Sequence, residues 1–67
     1  MQRDIVVNGA AAATMAVTLA DLLAELGYGE RRVATAVNGD FVAERARGER
    51  QIAPGDRIEI VSPRQGG

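Results

Sequence analysis

No cysteine, histidine or tryptophan occurs in this 67-residue sequence, and all eight of its basic residues are arginine, so lysine is missing too. Without cysteine there are no disulfides and no thiolate metal ligands. Without histidine a zinc site would need carboxylates alone, and no metal site is expected. The commonest general base and the strongest side-chain nucleophiles are also gone. The carboxylates are scattered and read as solvated surface. A domain this short has little room for a pocket of several hundred Å³. The chain is therefore not expected to be an enzyme in its own right, nor to bind a cofactor.

Charge and hydropathy exclude more. The formal net charge is −1, whereas nucleic-acid binders are usually basic. No apolar run approaches the ~20 residues that cross a bilayer. The start, Met1-Gln2-Arg3-Asp4, has no signal-peptide anatomy. No nucleic-acid or membrane partner is expected, and a cytoplasmic location is.

What remains is one small domain, of a size that buries roughly 60% of its unfolded surface. Its larger aliphatics suffice for one core: Ile5, Val7, Val17, Leu19, Leu22, Leu23, Leu26, Val37, Ile52, Ile58 and Ile60 among them. Asp4 to Val7 is a β-branched run closed by Asn8-Gly9, a two-residue hairpin signal because both central residues need positive φ. The alanines at 10–13 are ambiguous, since alanine is the best helix former. Thr14, Val17 and Thr18 argue for a strand, read over residues 12–17 with Met15 and Val17 inward.

Thr18-Leu19-Ala20-Asp21 has capping-box form, and Val17 and Leu22 occupy staple positions. Leu19, Leu22, Leu23 and Leu26 fall at i, i+3, i+4 and i+7, which predicts a helix over 18–26 with one apolar stripe facing the core. Gly27 is its expected stop. Val33 to Val37 alternates with period two, placing Val33, Thr35 and Val37 on one face. Asn38-Gly39 signals a second hairpin, with Asp40 to Ala43 returning. Residues 44–51 read as a charged, solvated loop holding at most one helical turn, pinned by Ile52. Pro54-Gly55 suits a type II turn. Arg57 to Ser62 is the last strand, with Ile58 and Ile60 inward and Glu59 and Val61 outward. One helix covers one face of one sheet, so the fold class is α+β with a mixed sheet of four to five strands.

The chain then closes on Pro63-Arg64-Gln65-Gly66-Gly67. Pro63 leaves the ladder because it has no backbone donor. The two glycines pass where a side chain would clash. Five extended residues reach about 17 Å at ~3.3 Å each. The expected organisation is a body at 1–62 and a flexible tail at 63–67. A frayed chain end has the same look, so the tail alone leaves both readings open.

Four stretches carry a resemblance: Val17 to Leu23, Ala36-Val37-Asn38-Gly39, Pro54 to Val61, and Gln65-Gly66-Gly67. Together they resemble the β-grasp (ubiquitin-like) family, and more closely the bacterial sulfur carriers of the ThiS family, which serve thiamine thiazole synthesis. The loop at 44–51 departs from the pattern in lacking a Pro-Arg pair after the fourth strand. The resemblance implies that a ThiF-type enzyme uses ATP to adenylate the Gly67 carboxylate. Sulfur from a cysteine desulfurase or related donor then makes a thiocarboxylate, which a ThiG-type thiazole synthase consumes. It further implies a chain that is monomeric alone, with Pro63, Arg64, Gln65 and Gly66 docking the tail. By strand alternation, Glu59 and Val61 fall on the partner-facing side, with Phe41 either beside them or in the core. The small subunit of molybdopterin synthase (MoaD-like) and a ubiquitin-like modifier remain the alternatives.

Overall fold

Two Asn-Gly turns and one capped helix set the frame of the computed structural model, which describes residues 2–29 and 31–62. The chain order is β1 (Arg3–Val7), β2 (Ala10–Thr14), α1 (Leu19–Glu25), β3 (Ala34–Val37), β4 (Asp40–Val42), a 3-10 turn (Glu44–Ala46) and β5 (Arg57–Val61). The five strands form one sheet in the order β2-β1-β5-β3-β4. β1 and β5 run parallel, and the other pairs are antiparallel. The sheet is therefore mixed, with β5 at its centre. One helix covers one of its faces, the β-grasp arrangement.

Asn8 and Gly9 have φ of 50° and 83°, and Asn38 and Gly39 have 53° and 89°. Positive φ at both central residues turns each hairpin with the right-handed twist of its strands. The first turn also corrects the predicted second strand. A two-residue loop pairs Val7 with Ala10, and β1 is used up when Arg3 meets Thr14. The strand is thus Ala10–Thr14 rather than 12–17. Register places Ala12 opposite buried Ile5, and alternation then turns Thr14 inward with it and Met15 outward. Thr14 and Ala16 are buried, while Met15 and Val17 are 63% and 51% exposed. Pairing with β1 overrides the helical preference of the alanines.

α1 forms where its capping signals sit. The Asp21 amide donates to Thr18 Oγ1 at 3.1 Å, and the Thr18 amide donates to Asp21 Oδ2 at 3.4 Å. The loop after β4 supplies two more acceptors. Leu19 N–H donates to the Arg50 carbonyl and Ala20 N–H to that of Arg47. The first-turn amides of a helix need such partners. Gly27, at φ +88°, ends the helix. Its amide donates to the Ala24 carbonyl and the Tyr28 amide to that of Leu23, the double bond of a Schellman stop. Leu26 is the C-cap and, contrary to the predicted stripe, lies 42% exposed. The last helical residue is Glu25.

Leu19, Leu22 and Leu23 pack with Ile5, Val37, Val42, Ile58 and Ile60 of the sheet, and Ile52 closes the cluster. Polar groups inside this layer are bonded. Thr14 Oγ1 donates to Glu25 Oε1 and accepts from the Ala16 amide. Thr35 Oγ1 donates to the Val42 carbonyl and accepts from Arg47 Nε. Arg47 Nη2 donates to the Val33 carbonyl at 2.6 Å. The loop at 44–51 is thus fastened to β3 by an arginine and is not a freely solvated segment.

The predicted type II turn forms at Pro54-Gly55, with Gly55 at φ +87° and Asp56 N–H donating to the Ala53 carbonyl. Asp56 departs from the expectation of solvated carboxylates, because it is buried. It accepts from the Ala53 amide and from Asn38 Nδ2. Asn38 Oδ1 also accepts from the Arg57 amide at 2.9 Å. Asn38→Gly would keep the turn and lose both side-chain bonds. It should cost ~1–3 kcal/mol, given the value of a typical hydrogen bond and the added freedom of glycine when unfolded. Urea denaturation of the variant beside the parent chain measures it.

Candidate functional site: the outer sheet face and the base of the tail

Strand alternation puts Ile58 and Ile60 under the helix, so the residues between and beyond them face the other way. Glu59 and Val61 are exposed on the uncovered face, Val61 by 61%. Phe41 joins them there. It is 72% exposed, which removes the alternative of a core phenylalanine. Register sets the spacing of the three. Ala36 of β3 pairs with Phe41 on one side and Glu59 on the other. Ala34, two residues earlier, pairs with Val61. On this face, β3 between the outer side chains therefore carries only Ala34 and Ala36. The result is a shallow apolar strip from Phe41 to Val61, interrupted by the Glu59 carboxylate.

β5 leads from this strip into the tail, and its last residues are held from both flanks. On one flank the partners are Thr35 and Ala34. On the other, β1 pairs only at Val6 with Arg57 and Val7 with Ile58, and then turns away at Asn8. The Asn8 side chain takes over the ladder. Its Oδ1 accepts from the Ile60 amide at 2.8 Å and its Nδ2 donates to the Ile60 carbonyl at 3.2 Å. One asparagine therefore both makes the turn and extends the pairing of the central strand. Sequence reasoning found the turn and missed the clamp, whose partner lies 52 residues away.

Ser62 is the last described residue of this end. Pro63, Arg64, Gln65, Gly66 and Gly67, the expected docking and reacting positions, lie outside the described residues. So does Glu30.

A family model described as the ThiS family matches residues 3–67. The chain belongs to the ThiS family. The match runs through Gly66 and Gly67. Among solved structures, the chain is similar to a thiamine biosynthesis protein (ThiS) from Geobacter metallireducens, with 22% identity and a TM-score of 0.81. That alignment covers 96% of this chain and 99% of the other, and it carries the fold. No curated protein sequence matches. Membership of the ThiS family supports a small carrier role, that of a sulfur carrier in thiamine biosynthesis. Among the described residues, no helix is long and apolar enough to cross a membrane.

Proposed function

We propose that this ThiS-family chain carries sulfur as a thiocarboxylate on Gly67, with residues 1–62 as the body that partners recognise and 63–67 as the segment that enters their sites. The observation that carries the reading is a family match that extends over the tail to Gly67. The absence of histidine, cysteine and lysine is consistent with it, because a reactant needs no catalytic side chains of its own.

The steps follow from the chemistry of a carboxylate, which is a poor acceptor for sulfur until its oxygen becomes a leaving group. In the site of a ThiF-type enzyme, an oxygen of the Gly67 carboxylate attacks the α-phosphorus of ATP. The bond to the β-phosphate oxygen breaks and pyrophosphate leaves. A persulfide sulfur, supplied through a cysteine desulfurase or related donor, attacks the acyl carbon and expels AMP. A thiol then cleaves the resulting acyl disulfide, is itself oxidised to a disulfide, and frees the thiocarboxylate. A ThiG-type thiazole synthase takes that sulfur. ATP belongs to the activating enzyme and not to this chain.

Gly66 keeps the approach narrow in this scheme, since a Cβ there would widen a segment that must thread a closed site. Pro63, Arg64 and Gln65 position the tail, Arg64 and Gln65 by hydrogen bonds. The strip of Phe41, Glu59 and Val61 meets the partner body beside the tail. Exposed apolar side chains scattered singly need no explanation, but Glu59 and Val61 lie on the strand from which the tail departs, and Phe41 shares their face across β3.

The test is to incubate the chain with a ThiF-type enzyme, ATP and a sulfur donor, and to weigh the intact product. The expected product has one carboxylate oxygen replaced by sulfur. A covalent adduct to a lysine of another protein would make the chain a modifier instead.

A further inference from the structure

Five of the eight arginines fall between residues 31 and 50, and the fold gathers three of them at one groove. The groove has a volume of ≈ 310 Å³ and is lined by Arg31, Arg32 and Arg47, with Phe41 and Ala34 as its apolar wall and Glu44 as its one acidic residue among the described residues. Among the described residues its lining holds three guanidiniums against one carboxylate, on a chain whose net charge is −1.

The three arginines differ. Arg47 is committed to the fold through Thr35 and the Val33 carbonyl. Arg31 and Arg32 are exposed, and among the described residues neither guanidinium has a hydrogen-bond or ion-pair partner. Neither guanidinium takes part in the local backbone bond, in which the Arg31 amide donates to the Tyr28 carbonyl.

The groove is also continuous with the outer strip. Phe41 belongs to both, and Ala34 of the groove is the register partner of Val61, the last residue of β5. Whatever receives the tail must sit over this end of the sheet. We propose that the groove docks an acidic segment of the activating enzyme, its carboxylates paired with Arg31 and Arg32 and an apolar side chain laid on Phe41. This rests on the carrier reading above and adds the chemistry of the contact. Guanidiniums bind carboxylates through paired donors, and a matched charge pair fixes register as well as attraction. The helix N-terminus does not compete for that role, because its first-turn amides already donate within the chain.

The experiment is a binding titration of the full chain against its ThiF-type enzyme over a range of salt concentrations. Charge reversal at a docking rim slows association and flattens the salt dependence. Arg32→Glu should weaken binding by at least about tenfold at low salt, and the parent chain's affinity should fall steeply with salt. Arg45→Glu makes the same change in net charge at an exposed position outside the groove, and should weaken binding much less. Should Arg32→Glu fail to fold, Arg32→Gln is expected to show a smaller loss in the same direction. Equal effects at positions 32 and 45 would reduce the result to overall charge and overturn the proposal, as would no effect at either. Binding of ATP to the isolated chain that Arg32→Glu abolishes would also overturn it, by making the groove a phosphate site. The two readings fail separately. A parent chain that is loaded with sulfur while Arg32→Glu binds normally ends the groove proposal alone. A parent chain that the enzyme neither binds nor loads ends both.

Discussion

Removing Gly67 should abolish sulfur loading while leaving the fold intact. The deletion moves the terminal carboxylate back by ~3.3 Å, one extended residue. Attack on the α-phosphorus requires the reacting atoms at near-contact distance, and a misplacement of ~1 Å can already cost about a hundredfold. Loading should therefore fall by more than ~100-fold, with no compensation at higher enzyme concentration, because the defect lies in the bound complex. Stability should not change, since among the described residues none of the core lies beyond Ile60. Intact mass after incubation measures the first effect and urea denaturation the second. Full loading of the shortened chain would rule out Gly67 as the reacting residue.

Leu22→Ala is expected to do the opposite: to leave the tail untouched and take away the body. Leu22 is 1% exposed and sits in the middle of α1 among the inward residues of the sheet. Truncating a buried leucine costs ~2–5 kcal/mol, the transfer term plus the cavity left behind. A chain of this size has a total stability of only roughly 3–10 kcal/mol at ~0.05–0.15 kcal/mol per residue. Neither disulfide nor lysine-based ion pair can make up the loss. The variant should lose most of its stability margin, seen as a large fall in the urea midpoint or as no cooperative transition at all. Leu26→Ala is the internal contrast, since Leu26 is 42% exposed and its truncation should cost a small fraction of that. If Leu22 and Leu26 prove equally costly, the described boundary of the helix is wrong.

The contrast between these two leucines shows what sequence periodicity can and cannot deliver. Both match the i, i+3, i+4, i+7 stripe, yet the helix ends at Glu25 and its C-cap Leu26 stays 42% exposed. The core side chains of β5 and α1 were legible because alternation and helical spacing are local properties. The two hairpin turns were legible for the same reason. The position of β2 was not, although its cause was in plain view. The Asn8-Gly9 turn starts the return strand at Ala10, and pairing with β1 then outweighs the helical preference of four alanines.

Side-chain roles that depend on distant partners were the least legible. Asn8 and Asn38 read as turn residues, yet each also holds a backbone group of β5, 52 and 19 residues away. Arg47 read as part of a solvated loop, yet it fastens that loop to β3. The buried Asp56 read as surface. No spacing within a short window encodes such contacts; they exist only once the sheet order β2-β1-β5-β3-β4 is known. Phe41 was undecided between core and surface, and the three-residue β4 that carries it is too short for alternation to choose. The tail, by contrast, stood out by residue type, a terminal Gly-Gly after a closing strand, but only the resemblance to the ThiS family made Gly67 the expected reacting residue. The family match over residues 3–67 includes it.

The most direct measurement is to fragment the chain in a mass spectrometer after treatment with a ThiF-type enzyme, ATP and a sulfur donor. The expected spectrum places one sulfur on Gly67 in exchange for one carboxylate oxygen and leaves every other residue unmodified. An unaltered Gly67 in the presence of an enzyme that loads another ThiS-family carrier would contradict the account.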